Sequence, residues 1–369
     1  MMRQPRSKWS VRATTIGASA TLLIGSAGSV VAAGPQFLPP VQVGAVQQAA
    51  VNEASGLAAS RANPGVLWVH NDSGDTARVF AMNTLGTHLG VYNLTGASAT
   101  DWEDMAIGPG PASTPWCLFL ADIGDNSAVR ASVRVYRVPE PFVSPTQSPV
   151  EANLTGVEAI VLQYPDGPRD AETLMVDPAT RDLYVVSKRE SRSRLYRVPY
   201  PQAVGTTITM EYRGELPWGW ATGGDISPTG AEILIRGYAN ASLWRRPAGQ
   251  PLWEALLSAA YSVPLASEPQ GEAICFEAAS KGYYTVSEGT ARPIFYCERV
   301  PGPGDFDADG DVDLMDFATF QACFNGPNRG YAIAACEAAD ADQDGDVDLV
   351  DFGMFQACFN GPNRPPKCL

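Results

Sequence analysis

The amino-acid sequence predicts a mainly β protein, a five-bladed β-propeller with six blades as the alternative, followed by a small α-helical domain. The first observation is that three kinds of strand-like segment recur in a fixed order five times between residues 37 and 300. The second is an acidic segment of twelve residues that occurs twice near the C-terminus. The composition agrees, because 35 Gly and 30 Pro with only 18% charged residues favour short strands and turns over long amphipathic helices.

Residues 1–33 have the order of features that is typical of a secretory signal peptide. Four basic residues come first, a mildly apolar run extends from Ala13 to Val31, and small residues precede Gly34. The Thr, Ser and Gly in that run argue against a retained membrane anchor, and no later segment is apolar enough to span a bilayer. We therefore predict a bacterial protein that is secreted or held at the cell surface, with no membrane span in the mature chain.

The charge and the histidine content exclude two classes of function. The chain of 369 residues has 26 Lys and Arg against 40 Asp and Glu, a net charge of −14. Without a basic cluster it is not expected to bind nucleic acid. Only two histidines are present, His70 and His88, which excludes multi-histidine metal centres.

Each round of the propeller repeat contains three kinds of strand. The first begins with an acid, the second is strongly apolar, and the third is aromatic and often basic. The five acids that begin the first strands are Glu53, Glu103, Glu172, Asp225 and Glu272. Rounds of about 47 to 69 residues suit blades around a central channel, and a β-sandwich would not explain the recurring acid. The segment 42–46 is predicted to supply the outer strand that closes the last blade.

Propeller geometry predicts where these acids meet. The innermost strand begins on the face where the second strand ends, so both sets of residues converge at one mouth of the channel. Asp101 and Asp170 lie two positions before Glu103 and Glu172 and point to the same side. The catalytic candidates are therefore Glu53, Asp101, Glu103, Asp170, Glu172, Asp225 and Glu272. The ligand-binding candidates are His70, Asp72, Asp75, Asp122, Asp125, Lys188, Arg189, Arg236 and Glu288.

Three interpretations of this acidic mouth are open. A calcium ion with Lys188, Arg189 and Arg236 nearby would suit a phosphorylated ligand, and six-bladed phytases are similar in general plan. Two carboxylates at a suitable separation would instead suit a glycan and its hydrolysis. In the third and preferred interpretation the mouth is not catalytic: the acids bond to backbone N–H groups between blades or form a binding surface, since structural networks also hold perturbed carboxylates.

The segments His70-Asn-Asp-Ser-Gly-Asp75, Asp122-Ile-Gly-Asp-Asn126 and Asp166-Gly-Pro-Arg-Asp-Ala-Glu172 carry a resemblance. With them, residues 50–300 resemble secreted bacterial propeller proteins of unassigned activity. This resemblance implies no reaction, and neither a nucleophile elbow nor a phosphate-cradling loop occurs in the sequence.

A Pro/Gly linker at 301–304 leads to residues 305–369, where the acidic repeat lies. In each copy, carboxylates occupy loop positions 1, 3, 5, 9 and 12, Gly occupies position 6, and an Asp at position 7 offers its backbone carbonyl. Calcium requires six to eight oxygen ligands, which this alternation supplies. We predict two calcium ions, one in each loop. The metal-binding residues would be Asp305, Asp307, Asp309, Asp311, Asp313 and Asp316, then Asp340, Asp342, Asp344, Asp346, Asp348 and Asp351.

Each loop is followed by a matched helix, with Phe317 and Phe320 in the first copy and Phe352 and Phe355 in the second. A calcium loop followed by one helix, present twice, resembles the dockerin family. The resemblance implies docking to a cohesin-like partner or a cell-surface protein, in a polysaccharide-processing context. Loop positions 10 and 11, however, are Leu314-Met315 and Leu349-Val350, where cohesin-binding dockerins often carry hydroxyl or charged residues.

Four of the seven cysteines lie in this domain, and the odd total leaves at least one thiol unpaired. Four cysteines allow three connectivities. The repeat symmetry favours Cys323 with Cys336 and Cys358 with Cys368.

Overall fold

The computed structural model describes residues 34–111, 114–330, 333–364 and 366–368. The predicted signal peptide lies outside the described residues. Five separate sheets run from Gln36 to Val300, and their innermost strands contact one another in order, with the last contacting the first. The fold is therefore a five-bladed propeller, as predicted, and the six-bladed alternative is wrong.

The strands of each blade run from the channel outward. Blade 1 consists of Ala54–Ala59, Val66–Asn71, Arg78–Asn83 and His88–Leu94. Blade 2 consists of Trp102–Gly108, Cys117–Asp122, Val133–Pro139 and Glu158–Gln163. Blade 3 consists of Ala171–Val176, Leu183–Ser187, Arg194–Val198 and Glu211–Glu215. Blade 4 consists of Gly223–Ile226, Glu232–Arg236, Ala241–Arg245 and Tyr261–Ser262, with a short helix at Leu252–Leu256 before its last strand.

Blade 5 joins the two ends of the propeller. Its first three strands are Gly271–Phe276, Gly282–Ser287 and Pro293–Val300, and its outer strand is Val41–Ala45. Gln36–Phe37 also pairs with the last of these three. The antiparallel pairs Val41 with Tyr296 and Ala45 with Pro293 place the segment predicted to close the ring in that position.

Two connections between blades take an unpredicted route. After the third strand of blade 2, the chain returns to blade 1 as Val150–Leu154 and pairs in parallel with its outer strand. Thr207–Thr209 likewise returns from blade 3 to pair with the outer strand of blade 2. Each returning strand covers a sheet edge that would otherwise expose unpaired backbone groups.

The apolar core of the propeller is divided into wedges between neighbouring blades. The wedge between blades 1 and 2 contains Trp68, Trp102 and Leu120, and that between blades 3 and 4 contains Tyr184 and Trp244. Because each sheet is buried on both faces, the second strands are continuously apolar. This packing accounts for the strongly apolar second segment of each repeat.

The C-terminal domain contains helices Leu314–Cys323 and Leu349–Cys358, joined through the 3₁₀ helix Ala334–Ala339. The first residue of each α-helix lies two positions before the acid at loop position 12. The helices begin there because Asp313 caps the first and Asp348 the second, each in a reciprocal capping box. The rings of Phe320 and Phe355 stack 5.3 Å apart, so the predicted apolar faces meet.

Disulfides Cys323–Cys336 and Cys358–Cys368 form as the repeat symmetry predicted. The remaining cysteines, Cys117, Cys275 and Cys297, are free and buried in the propeller. In the part of the chain that the structure describes, no helix combines the length and the apolar character needed to cross a membrane.

Candidate functional site

A β-bulge positions the acids of the channel mouth. In four innermost strands one residue has no partner on the second strand, and these residues are Ser55, Glu103, Glu172 and Glu272. Bulges redirect side chains and frequently lie beside functional sites. The three glutamates therefore occupy equivalent positions at the end of the channel where the second strands finish.

Two acids that the sequence pattern grouped with these glutamates do not occupy the bulge position. Glu53 precedes its strand and is exposed, and Ser55 takes the equivalent bulge position in blade 1. Asp225 pairs with Leu234 along a strand without a bulge, deeper in the channel. The five acids therefore do not occupy equivalent positions, because a local shift in register decides where each acid points. Asp225 lies away from the mouth, whereas Glu53 is close enough that, besides burial, its charge raises the pKa of Asp72 and of Glu288.

Seven acids do meet at the mouth. Carboxylate oxygens lie within 4.8 Å of one another in three overlapping groups. The groups are Asp72 with Asp101 and Glu103, Asp72 with Glu272 and Glu288, and Glu103 with Asp170 and Glu172. Because Asp72 and Glu103 each belong to two groups, the acids form one continuous arc across blades 1, 2, 3 and 5.

Basic side chains pair with one end of this arc. The ammonium group of Lys188 contacts the Glu172 carboxylate, lies 4.0 Å from Glu272 Oε1 and donates to the Tyr238 hydroxyl at 2.9 Å. Arg189 donates from Nε to Asp170 Oδ2 at 2.6 Å. Tyr238 in turn donates to Glu272 Oε1 at 3.1 Å, so it belongs to the mouth although the sequence analysis did not select it.

Burial shifts the acid–base properties of the mouth. Burial, followed by repulsion from neighbouring carboxylates, raises the pKa of Glu103 well above its usual range. Burial also raises the pKa of Glu172 to about 8, although Lys188 opposes the shift. The pKa of Glu288 rises to about 8 through burial and Glu272, and that of Asp72 to about 6, mainly through burial. Carboxylates so arranged accept a proton or a cation readily.

Two further acids connect the blades inside the channel. Asp104 Oδ2 accepts hydrogen bonds from Leu174 N–H at 2.9 Å and Gly224 N–H at 3.3 Å. Asp225 Oδ2 accepts from Phe276 N–H at 2.9 Å and lies 3.9 Å from the Arg61 guanidinium. Together these two carboxylates link the inner strands of blades 2 to 5 and the first turn of blade 1. The sequence analysis preferred such a structural role for the acids of the repeat. Asp225, which it selected, and Asp104, which it did not, form these links.

The remaining candidates have structural partners. His70 is fully buried against Trp102, and burial lowers its pKa, so the imidazole is neutral. Asp75 bonds to Arg78 and Asn71, and Asp122 bonds to Arg130.

The last two candidates are engaged as well. Asp125 accepts from the backbone N–H groups of Val129 and Arg130. Arg236 is fully buried and donates to Glu268 at 2.7 Å, so its charge is not available to the mouth.

The two C-terminal loops fold alike around their carboxylates. Asp305 Oδ1 accepts from Asp309 N–H at 3.1 Å, and Asp340 Oδ1 accepts from Asp344 N–H at the same distance. Asp305, Asp307 and Asp316 bring carboxylate oxygens within 4.8 Å of one another. Burial and these neighbours raise the pKa of Asp305 to about 7. The candidate ligands grouped in this loop are all carboxylate oxygens, and such a set fits calcium.

Each loop is held by the segment that follows the helix of the other repeat. Asn325 and Gly326 donate N–H bonds to Val347 O at 3.0 and 3.1 Å. Gly361 donates to Val312 O at 3.1 Å. Asp311 at loop position 7 accepts from Asn363 N–H through Oδ2 at 2.6 Å, and a carboxylate oxygen of Asp311 also lies within 4.8 Å of those of Asp313 and Asp316.

Comparison with known proteins identifies the C-terminal domain. Residues 303–359 match the dockerin type I domain family, so the chain ends in such a domain after its five-bladed propeller. No curated protein is significantly similar to the chain.

Solved structures with some likeness include a nidogen/laminin complex, with 11% identity, a TM-score of 0.40 and coverage of 64% of this chain and 73% of that one. Hydrazine synthase of Kuenenia stuttgartiensis has 10% identity and a TM-score of 0.34, over 64% of this chain and 93% of that one. The Pan2 WD40 domain of Neurospora crassa has 10% identity and a TM-score of 0.36, over 71% of this chain and 97% of that one.

Proposed function

We propose that this is a secreted protein whose dockerin type I domain binds two calcium ions and attaches the propeller to a cohesin-bearing extracellular partner. The observation that carries the proposal is the family match over 303–359, which contains both acidic loops and both helices. The two disulfides support an oxidising, extracellular location. A cell-surface protein without a cohesin module is the alternative partner, and polysaccharide processing is the proposed context.

The docking surface that we propose is apolar and present twice. Leu314 and Met315 are 68% and 66% exposed, and their counterparts Leu349 and Val350 are 72% and 55% exposed. Large aliphatic side chains with such exposure are typical of interaction sites when they recur together. Because the repeats are related by sequence, either pair could present the same face to a partner. We expect a partner with an apolar patch rather than one that reads hydroxyl or charged groups.

Docking can be tested with immobilised type I cohesin modules and the full-length protein. We expect binding in calcium that disappears with a chelator. Changing one apolar pair, Leu314→Asp with Met315→Asp, should leave binding through the other pair, and changing both pairs should abolish it. Exposed Val129, which is 74% exposed in the propeller, provides the control Val129→Asp. Binding by the variant in which all four apolar residues are changed would refute this surface. Absence of binding to every cohesin tested would favour the cell-surface alternative.

For the propeller we propose a non-catalytic binding or scaffold role. The basic groups expected to hold a phosphorylated ligand already neutralise acids: Lys188 with Glu172, and Arg189 with Asp170. The alternative is a hydrolase of glycosidic or phosphoester bonds, and the observation that favours it is Glu103, a buried carboxyl whose raised pKa suits a general acid.

A panel of glycans and phosphoesters separates these two roles. The scaffold role predicts no turnover by the full-length protein in calcium. The hydrolase alternative predicts turnover that Glu103→Gln or Glu172→Gln abolishes. Turnover that survives both substitutions would show that the reaction takes place elsewhere in the protein.

A further inference from the structure

The acids at the mouth divide into two sets according to their basic partners. Asp170 and Glu172 are paired with Arg189 and Lys188. Among the described residues, no basic side chain forms an ion pair with Asp72, Asp101, Glu103 or Glu288. Glu272 has only Lys188, at 4.0 Å. The end of the arc around Asp72 therefore concentrates carboxyl groups that have few or no basic partners among the described residues.

The spacing of these oxygens suits a single ion. Asp72, Glu272 and Glu288 bring carboxylate oxygens within 4.8 Å of one another, and so do Asp72, Asp101 and Glu103. Ligand oxygens on opposite sides of one calcium ion are about 5 Å apart, since each lies about 2.4 Å from the metal. The two groups meet at Asp72, which both contain.

A second observation points to a ligand at this position. Glu272 is only 3% exposed, and no N–H group or hydroxyl among the described residues donates to its Oε2 atom, whereas Oε1 accepts from Tyr238. A buried carboxylate oxygen without a partner is costly unless a cation or a proton compensates it. Gly124 is consistent with this close approach, because a Cβ there would overlap Glu103 Oε1 and the Asp101 carboxylate.

We propose that the propeller mouth binds a third calcium ion, held by Asp72, Glu272 and Glu288, with Asp101 and Glu103 on the other side of Asp72. Calcium fits because the donors are carboxylates without nitrogen or sulfur, and because it tolerates many ligands in irregular geometry. This inference adds to the proposed function a ligand for the propeller. It does not depend on docking, for which the C-terminal loops suffice.

The position of the ion implies a mechanical role. Asp72 follows the second strand of blade 1, Asp101 and Glu103 belong to blade 2, and Glu272 and Glu288 belong to blade 5. Blades 1 and 5 are where the ring closes. Calcium at the mouth would therefore connect the first and last blades on the channel side, while Val41–Ala45 connects the ends on the outside.

Calorimetric calcium titration of the full-length protein tests the site. Wild type should bind three ions, and both Glu288→Gln and Asp72→Asn should bind two. The control Glu254→Gln, an exposed acid on the short helix of blade 4, should bind three. Two ions in wild type, or three in Glu288→Gln, would overturn the proposal, and the first result would mean that protons balance these acids. Thermal unfolding in chelator, unchanged from wild type, shows that a variant is folded.

Terbium luminescence provides a readout that the C-terminal loops do not dominate. Residues 305–369 contain no Trp, whereas Trp102 lies between Asp101 and Glu103. Terbium emission on tryptophan excitation should therefore come mainly from the propeller site, and Glu288→Gln should reduce it at least tenfold at low terbium. Unchanged emission in that variant would overturn the proposed ligands. Because cohesin binding uses the C-terminal domain, a failed third site leaves the docking test unaffected.

Discussion

Calcium removal should unfold the dockerin domain while the propeller remains folded. The reason is the small core of the domain, in which eight described residues are buried together: Val312, Phe320, Cys323, Cys336, Ala339, Val347, Phe355 and Cys358. Three of these, Cys323, Cys336 and Cys358, are half-cystines. Domains of this size lack enough apolar burial to fold on that term alone, so metal and disulfides supply much of the stability.

The expected magnitude follows from linkage between binding and folding. An ion that binds only the folded domain adds about 2.7 kcal/mol at a free concentration about 100 times its dissociation constant. Two ions therefore add about 5 kcal/mol. In a domain of about 60 to 100 residues each kcal/mol moves the midpoint by about 4–8 °C, so chelation should lower it by at least about 20 °C.

Matched substitutions at loop position 12 divide this effect between the loops. Asp316 Oδ1 accepts from Phe306 N–H at 2.6 Å, and Asp351 Oδ1 accepts from Ala341 N–H at 2.7 Å. Each of Asp316→Ala and Asp351→Ala should cost one ion and a capping interaction, about 3–4 kcal/mol together. The reciprocal hydrogen bonds at Val312 and Val347 make the loops interdependent, so both variants should be destabilised similarly.

Differential scanning calorimetry of the full-length protein, in calcium and then in chelator, measures these effects. We expect a dockerin transition with the larger calcium-dependent shift and a propeller transition with a smaller one, because the propeller is proposed to bind one ion and the dockerin domain two. A chelator shift below about 5 °C in the dockerin transition would refute the linkage reasoning, given the size scaling used above. If one of the two variants loses the calcium-dependent shift of the midpoint entirely and the other keeps the wild-type shift, only one loop binds calcium.

Three other predictions concern the propeller. Burial raises the pKa of Asp225 to about 6, so the folded state holds this proton more tightly than the unfolded chain. The free energy of unfolding should therefore fall by about 3 kcal/mol as pH rises from about 4 to about 6. Urea unfolding of Asp225→Asn should lack this loss, and a pH profile identical to that of wild type would contradict the prediction. Lys188→Met leaves Glu172 buried without its partner and should lower the free energy of unfolding in urea by about 3–5 kcal/mol. The control Arg192→Met removes an exposed ion pair and should lower it by under about 1 kcal/mol. Equal losses would contradict a stabilising role for the buried pair. The three free cysteines, Cys117, Cys275 and Cys297, should react with a thiol reagent only after denaturation. Without reductant, three thiols per chain should then be modified, and reaction of the native protein would contradict their burial.

Much of the fold was predictable because its signals repeat. Five rounds of strand patterns predicted five blades, and the structure confirms both the blades and the closing strand at Val41–Ala45. The strands that return to the preceding blade, Val150–Leu154 and Thr207–Thr209, were not predicted. Parallel pairing at a sheet edge leaves no periodic pattern of its own, since the partner lies 60 residues away for Val150–Leu154 and 46 for Thr207–Thr209.

The sequence by itself determined the calcium loops, because their candidate ligands lie within twelve consecutive residues and the chain between them sets their spacing. Only the tertiary structure decided which acids share the propeller mouth. Three of those acids, Glu103, Glu172 and Glu272, come from strands 69 and 100 residues apart, and a bulge at each of them turns it toward the mouth. Where no bulge occurs, Asp225 lies deeper and bonds to backbone instead. A shift of one residue in strand register reverses the side on which a side chain lies, and this shift depends on the partner strand rather than on the local sequence.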